Sequence, residues 1–392
     1  MHWSLRSKSP GDGEEFGRRE NTIMDFGLSE EQQQLKESAR AFLSGECPTP
    51  AVRKIMASED GYPRELYAQI AKLGWSGLIV PEEFGGAGLG MLDMAMILEE
   101  GGYAAMPGPF LFSSVLAASA LKLGGSIEMN SKWLSALAEG KLVGTVAVAE
   151  GAGSIEAVDI ATVASKDGAG WRLEGIKMFV PYANVADFVV VAAKNNAGEI
   201  GLFVVETKSS GVTIRSLKNL DLTRRVSSVE LKGAPAEALK GGADLFATLI
   251  DVGAVAIAAD SLGGTERALE MAVEYSKVRE QFGKPIGSFQ ALKHAAAEIV
   301  ADLEPSRALL WYAAHRAGEK TSHESSREAS MAKARLCDIY SRGTDRAVLM
   351  HGGIGFTWEH DMHLWFKRAR FNESYFGAPG FHRERAAALG GY

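Results

Sequence analysis

Segments with the pattern of β-strands are confined to one central block of the sequence, and helical patterns fill both sides of it. Short runs rich in β-branched residues, separated by turn residues, follow one another between residues 143 and 233. Such runs are typical of an antiparallel barrel or sandwich, and the segregation of strands from helices argues against a βαβ dinucleotide fold. We therefore predict an α+β protein with an N-terminal helical domain (24–139), a middle antiparallel β-barrel or sandwich domain (140–236) and a C-terminal four-helix-bundle domain (237–392).

The folded body is expected to begin after a polar leader. Residues 1–23 are rich in Gly, Glu and Arg and lack the apolar core of a signal peptide, so we predict a disordered extension. Met24 opens the body, and Ser29 is expected to cap a helix whose first turn carries Glu30 and Glu31.

Composition restricts the class of ligand. The chain has 392 residues and a formal net charge of −7, with no block of Lys or Arg, which leaves little for nucleic acid or an anionic membrane to bind. The sequence has no run of about 18 apolar residues, so no membrane insertion is predicted. The two cysteines, Cys47 and Cys337, have no metal or CxxC spacing, which favours a reducing, cytoplasmic environment. We expect a small-molecule ligand.

Several common catalytic signatures are missing. The sequence has no GxGxxG after a strand, no GxxxxGK(S/T), no HExxH and no GxSxG, which disfavours Rossmann-type and P-loop chemistry. His360 and His363 form an HxxH pair, but no third ligand follows at a recognisable spacing, so no metal site is predicted.

A polar stretch, VREQFGKPIGSFQALKH (278–294), interrupts the second helical block. Arg279 can pair with a pyrophosphate through its planar fork, Phe282 offers an aromatic face, and Gln290 offers an amide. The alternative is a plain corner between helices with an exposed arginine.

Four colinear stretches together resemble the acyl-CoA dehydrogenases, from residue 24 to about residue 385. The resemblance implies FAD, an acyl-CoA substrate that is desaturated between its α and β carbons, an electron-transfer flavoprotein or similar acceptor, and a homotetramer or dimer of dimers. The stretches are PEEFGGAG (81–88), AEGAGS (149–154), the polar stretch 278–294 and HGGIGFTWEHDMHLWFKRAR (351–370).

The resemblance also implies the residues that bind FAD. Arg279, Phe282 and Gln290 match positions that grip the ADP half of the FAD of a neighbouring subunit. In the small-residue turn, Ala149 replaces the usual threonine and a proline is missing; further along, Phe179 and Pro181 replace a tryptophan and a hydroxyl residue. These changes remove hydrogen bonds to the reactive edge of the flavin. The full predicted set is Ala149, Glu150, Ala152, Gly153, Ser154, Phe179, Val180, Pro181, Arg279, Gln281, Phe282, Gln290, Leu349 (often Gln in the family), Gly352, Gly353, Phe376 and Ala378.

The base that should take the α-proton is not where the family has it. The family's Tyr-Glu-Gly-Thr pattern reads Tyr375-Phe376-Gly377-Ala378 here, and the alternative position on the long helix is Gly253. Neither Phe376 nor Gly253 can accept a proton. Asp251, Gly253 and Tyr375 are expected near the substrate.

Asp260 is the remaining candidate base. It lies seven residues beyond Gly253, on the same helix face about 10 Å farther along, among apolar residues that would keep it from water. The alternative is a hydrogen-bonded helix aspartate without catalytic function. Glu373 is a weaker candidate.

Two functions stay open. The chain is either an active acyl-CoA dehydrogenase with an unusual base, or the base-less partner subunit of a heteromeric α2β2 enzyme that shares its sites. The second arrangement resembles bacterial family members that act on bulky steroid or bile-acid side chains.

Overall fold

The structure is a computed structural model that describes residues 27–168, 170–318 and 322–392. The predicted extension (1–23) and the predicted start of the body at Met24 lie outside the described residues.

The N-terminal block is helical, and its first helix starts at the predicted cap. The Ser29 hydroxyl accepts a hydrogen bond from the Gln32 N–H, and the Gln32 side chain returns to the Ser29 N–H. This reciprocal pair satisfies two backbone donors that the first helical turn would otherwise leave open. The helices are α1 (Glu30–Glu46), α2 (Thr49–Ala57), α3 (Arg64–Lys72), α4 (Met91–Tyr103), a π-helical segment (Leu111–Ala117) continuing into α5 (Ala118–Gly124), α6 (Ile127–Met129), a second π-helical segment (Asn130–Leu134) and α7 (Ser135–Ala138).

The middle block is a seven-stranded sheet. Its hydrogen-bonded neighbours run β4–β2–β3–β7–β5 and return to β4, while β1 pairs with β4 and β6 pairs with β7. The strands are β1 (Gly144–Ala147), β2 (Val163–Asp167), β3 (Gly170–Pro181), β4 (Phe188–Asn195), β5 (Ile200–Glu206), β6 (Val212–Leu217) and β7 (Val226–Ala238).

The expectation of a purely antiparallel domain was wrong for two pairs. Strand β4 runs parallel to β1 and also parallel to β2. Turn residues in the sequence predict a reversal of direction only between consecutive strands that form a hairpin. Strand β4 pairs with β1 and β2 after the chain has passed through β3, so the turn residues do not set its direction relative to either strand. The remaining pairs are antiparallel.

The C-terminal block is helical and is built around one long apolar helix. By length and composition, α8 could cross a membrane, but 94% of its most apolar 18-residue window is buried inside the protein, as in a core helix. A short hairpin follows it. The elements are α8 (Gly242–Val278), β8 (Glu280–Gln281), β9 (Lys284–Pro285), α9 (Gln290–Arg316), α10 (His323–His351), α11 (Met362–Ser374) and α12 (Pro379–Leu389).

Helices α4 and α8 cross with their backbones in contact. A Cβ on Gly263 would lie 1.7 Å from the Glu99 carbonyl oxygen, and a Cβ on Gly102 would lie 2.0 Å from the Asp260 carbonyl oxygen. Because real atoms never approach so closely, both positions need glycine. The crossing ties the N-terminal block to the helix that carries Gly253 and Asp260.

We expect Gly263→Ala to lower the midpoint of thermal unfolding, because the added methyl group forces the two helices apart at a cost of about 1–3 kcal/mol. Gly45→Ala in α1 is the matched control, since a Cβ there meets nothing within 4 Å. That control should be neutral or stabilising, by up to about 1 kcal/mol. Equal midpoints for the two variants would contradict the close crossing.

Candidate active site

A crevice of about 610 Å³ opens between the middle block and the C-terminal block. One wall is the turn that follows β1, and the opposite wall is the loop between α11 and α12. Of the residues predicted from the sequence, this crevice brings together Ala149, Ala152, Gly153, Ser154, Phe179, Tyr375, Phe376 and Ala378.

The two family positions for the base lie against each other. A Cβ built on Gly253 would be 2.2 Å from Cδ1 of Phe376, and the Phe376 side chain is buried. The ring therefore occupies the space that any side chain at position 253 would need. Glycine at one position and phenylalanine at the other are complementary, and together they replace a carboxylate with an apolar contact.

Asp260 is placed differently from the prediction. Its Oδ1 accepts hydrogen bonds from Arg224 (2.8 Å) and Arg368 (3.0 Å), and its Oδ2 accepts one from the Asn372 amide (2.7 Å). It does not line the crevice. Asp260 is buried, as the apolar sequence context indicated, but both of its oxygens are held by donors that this context did not reveal, and its function as a base stays a prediction.

Asp260 belongs to a buried charge network of two arginines and two aspartates. Arg368 also donates to Asp221 (2.8 Å) and to the Met106 carbonyl (3.2 Å), and Arg224 donates to the same carbonyl (3.2 Å). These contacts join the loop before β7, helices α8 and α11 and the chain after α4. The network connects all three blocks behind the crevice.

A buried lysine fastens the turn that forms the first wall. Lys177 donates to the Val148 carbonyl (3.0 Å) and to Glu150 (2.5 Å), and Glu150 also accepts from the Thr162 N–H and hydroxyl. Burial lowers the pKa of Lys177 to about 8, against the pull of the Glu150 carboxylate. Burial acts to raise the pKa of Glu150, but the hydrogen bonds from Lys177 and Thr162 outweigh burial and lower it. The Glu150 side chain is thus held by hydrogen bonds within the protein. It does not line the crevice, although the sequence analysis placed Glu150 among the FAD-binding residues.

A second buried lysine fastens the opposite wall. Lys333 donates to the carbonyls of Asn372 (2.6 Å) and Gly377 (3.1 Å). Nε2 of His382 lies 2.7 Å from the Phe376 carbonyl, which requires a proton on that nitrogen. Burial, followed by the charge of Lys333, lowers the pKa of His382 to about 3, so the ring stays neutral.

Tyr375 stands beside Phe376 in an aromatic group. Its ring stacks on Phe371 (centroids 5.1 Å apart) and meets Phe112 edge to face (5.5 Å). Burial raises the pKa of Tyr375. Its hydroxyl has no hydrogen-bond partner among the described residues, so a protonated donor is available at the crevice.

The residues predicted to grip the ADP half lie away from the crevice. The hairpin and the start of α9 expose Arg279, Gln281, Phe282 and Gln290 to solvent, and Phe282 is 91% exposed. On a second exposed segment, at the end of α10, lie Leu349, Gly352 and Gly353.

Three other predicted residues are buried by internal contacts. Val180 packs inside the sheet, and the Pro181 carbonyl accepts a bond from the Thr145 hydroxyl (2.5 Å). Asp251 pairs with Arg385 (2.7 Å), which separates it from the crevice. The side chains of Val180 and Asp251 are therefore held by contacts within the protein.

Sequence reasoning missed the groups that hold the walls, namely Lys177, Lys333 and His382. A lysine within a strand pattern (GIKMFV) or a helix pattern (MAKARL) ordinarily reads as a solvated residue. Only the partners that arrive from distant segments make burial of these ammonium groups tolerable.

We expect Asp260→Ala to destabilise the protein by about 3–5 kcal/mol, because two buried guanidinium groups lose their shared carboxylate. Urea denaturation measures the loss. Asp338→Ala, which breaks a more exposed pair with Arg383, is the control and should cost at most about 1 kcal/mol. If Asp260→Ala kept full stability and lost only turnover, Asp260 would be a base after all.

We expect His382 to make stability depend on pH. Between its unfolded pKa near 6.5 and its folded pKa of about 3, the unfolded chain holds the extra proton, so stability falls as the solution is acidified. His382→Asn should remove up to about 1.4 kcal/mol per pH unit of that dependence. Denaturation series between pH 4 and 6 test this, with the exposed His294→Asn as control; an unchanged slope would contradict it.

The comparisons with known proteins agree with this architecture. Three family models match the chain: acyl-CoA dehydrogenase N-terminal domain (29–141), middle domain (145–232) and C-terminal domain (240–389). The acyl-CoA dehydrogenase IpdE2 of Mycolicibacterium smegmatis is 33% identical over 353 residues, 90% of this chain and 96% of that protein. The acyl-CoA dehydrogenase FadE27 of Mycobacterium tuberculosis is 32% identical over 360 residues, 89% of this chain and 94% of that protein.

Solved structures show the same likeness. A chain of the ChsE4-ChsE5 complex from Mycobacterium tuberculosis superposes with a TM-score of 0.87 at 30% identity, covering 93% of this chain and 98% of that one. Butyryl-CoA dehydrogenase from Megasphaera elsdenii gives a TM-score of 0.85 at 25% identity, covering 94% of this chain and all of that one. The chain belongs to the acyl-CoA dehydrogenase family of FAD-dependent oxidoreductases.

Proposed function

We propose that this chain is the base-less subunit of a heteromeric acyl-CoA dehydrogenase and completes an FAD site that it shares with a base-bearing partner. The main support is the contact between Gly253 and Phe376. These residues occupy the two positions at which the family places its base, and neither has a carboxylate. Removal of the weakly acidic α-proton needs a positioned base. The partner chain would supply it.

The two halves of the FAD site differ in how well this chain suits them. Arg279, Phe282 and Gln290 are present and exposed, as a grip for the ADP part of a cofactor held by another chain must be. At the crevice, by contrast, the turn offers Ala149 and the strand offers Phe179, and neither side chain carries a hydrogen-bond donor for the flavin ring. FAD, when bound, accepts the hydride that leaves the β-carbon. We assign its ADP part to this chain and its ring to the partner.

The relatives support a heteromer and a bulky substrate. One superposed structure is a complex of two components, ChsE4 and ChsE5, and another is the steroid enzyme Tcur3481-Tcur3483. We infer a steroid-like or similarly bulky acyl-CoA for the assembled enzyme. A further relative belongs to a caffeyl-CoA reductase-Etf complex, which supports an electron-transfer flavoprotein as acceptor.

The alternative is an active dehydrogenase that uses Asp260. Its support was the position of Asp260 on the same helix face as Gly253. The hydrogen bonds from Arg224, Arg368 and Asn372 oppose it, because both carboxylate oxygens are already occupied by donors and Asp260 does not line the crevice.

The proposal also extends to the finer architecture. The strand pairings that return from β5 to β4 support a barrel in the middle domain, and the packing of α10 against α8, α9 and α12 supports a C-terminal helix bundle. We propose the domain bounds 24–139, 140–236 and 237–392.

The partner experiment tests the function directly. The chain is purified alone and together with a co-encoded family member that has a carboxylate at either base position. We expect no flavin reduction by steroid acyl-CoA with the lone chain, and reduction with the pair at one FAD per two chains. Turnover by the lone chain, or one FAD bound per chain in the pair, would overturn the proposal.

We expect Arg279→Ala to weaken FAD binding to the pair at least tenfold, because a charge-assisted bond to the pyrophosphate is lost. Flavin fluorescence during dialysis against FAD-free buffer measures the release. Arg383→Ala, a substitution of another exposed arginine, is the matched control and should leave FAD retention unchanged. Equal retention by both variants would remove Arg279 from the site.

A further inference from the structure

We propose that a small pocket in the N-terminal half of the protein binds a phosphate-type anion, either inorganic phosphate or a phosphomonoester. The pocket has a volume of about 190 Å³ and lies where the loop before α4, helix α5 and the end of α9 meet. It shares no lining residue with the crevice between the middle and C-terminal blocks. An anion bound there would join three segments of the chain and would not depend on the proposed function.

Ser119 gives this anion pocket a buried hydroxyl that no other group uses. The residue is 5% exposed and lines the pocket, and its hydroxyl has no hydrogen-bond partner among the described residues. Other buried helix hydroxyls, such as those of Ser261 and Thr344, donate to the carbonyl four residues back. Leaving a buried hydroxyl without a partner costs free energy. The open hydroxyl at the pocket therefore points to a ligand that completes its bonding.

Helix α5 brings a hydroxyl and an ammonium group to the same small space. Ser119 and Lys122 are three residues apart on this helix, so their side chains project from one face, and both line the pocket. The helix follows directly after the π-helical segment Leu111–Ala117. Segments of this kind are rare and occur frequently at functional sites. The local backbone is thus unusual where the pocket needs two polar groups side by side.

Lys122 and His315 give the pocket basic side chains that no carboxylate neutralises. Neither forms an ion pair among the described residues, whereas Arg316, the next residue of α9, pairs with Glu324 and Glu328. The described residues that line the pocket include no Asp or Glu. In a chain with a formal net charge of −7, basic groups without acidic partners form a local site that attracts an anion.

Helix α4 adds its N-terminus to the same pocket. The Gly90 N–H donates to Asp93 Oδ2 (3.0 Å), and the N–H groups of Met91 and Leu92 have no partner among the described residues. The open N–H groups and the dipole of a helix of 13 residues favour an anion at this end. Asp93 does not oppose it from the lining, because its other oxygen accepts from the Gln32 amide (3.0 Å) and it does not line the pocket.

The size and the rigidity of the pocket select a compact anion. Its volume of about 190 Å³ is below the range of about 300–1,000 Å³ typical of sites for larger small molecules. The loop at its edge is fixed, because the Gly88 N–H donates to the Val80 carbonyl (2.8 Å) and the Leu89 N–H to the Leu78 carbonyl (2.9 Å). A phosphate group accepts hydrogen bonds on several oxygens at once, which matches an ammonium group, an imidazole, a hydroxyl and helix N–H groups around one space.

Isothermal titration of the full chain with inorganic phosphate, at constant ionic strength, tests the proposal. We expect saturable binding of one phosphate per chain, and a rise in the midpoint of thermal unfolding that sodium chloride of equal ionic strength does not produce. Lys122→Met should weaken binding at least tenfold, because a charge-assisted bond is lost, and Ser119→Ala should weaken it about threefold. Lys54→Met, at an exposed lysine of α2 without an ion pair among the described residues, is the control and should leave binding unchanged.

A second titration with glycerol phosphate separates the two sources of the anion. Binding of both ligands assigns the pocket to phosphomonoesters as well as to free phosphate, and binding of inorganic phosphate alone assigns it to the free anion. No saturable binding of either ligand would overturn the proposal, and so would equal affinities of Lys122→Met and Lys54→Met. Lys122→Arg, which keeps the positive charge, should retain binding within about threefold and shows that a loss in Lys122→Met is one of charge. Circular dichroism checks that each variant is folded.

Discussion

The structure depends on a buried network in which Arg224 and Arg368 share Asp260 and reach Asp221 and the Met106 carbonyl. Two positive and two negative charges balance, so the network can be buried without a net charge. The network contributes more to the geometry of the fold than to its stability, because the cost of removing the charges from water offsets much of the attraction between them. Contacts made by three distant segments fix how the helical blocks meet the sheet.

The crevice follows from that arrangement. The loop that carries Asp221 and Arg224 also carries Asn219 to the crevice, and Asn372 ties Asp260 to helix α11, which ends at Ser374, just before Tyr375. Lys177 and Lys333 then fasten the two facing backbone segments. A pocket therefore persists although both base positions are apolar, which separates the ability to bind a ligand from the ability to remove its proton.

Much of the fold could be predicted because local patterns carry it. The Ser29 cap and the single long helix α8 appear where capping and apolar periodicity indicate them. The parallel pairing of β4 with β1 and β2 could not be predicted, because it depends on where the chain returns after several strands. The crevice turn and the Tyr375–Ala378 loop were recognised from motifs, but the partners of Glu150 and Asp260 were not.

By itself, the sequence determined the order of helices, strands and helices, and it determined that no carboxylate stands at position 253 or 376. These are properties of residue type and spacing. Tertiary structure alone decided that Phe376 fills the hollow at Gly253 and that Asp260 is an ion-pair partner. The reason is physical: whether a carboxylate can act as a base depends on which donors reach it, and here those donors lie 36 and 108 residues away along the chain.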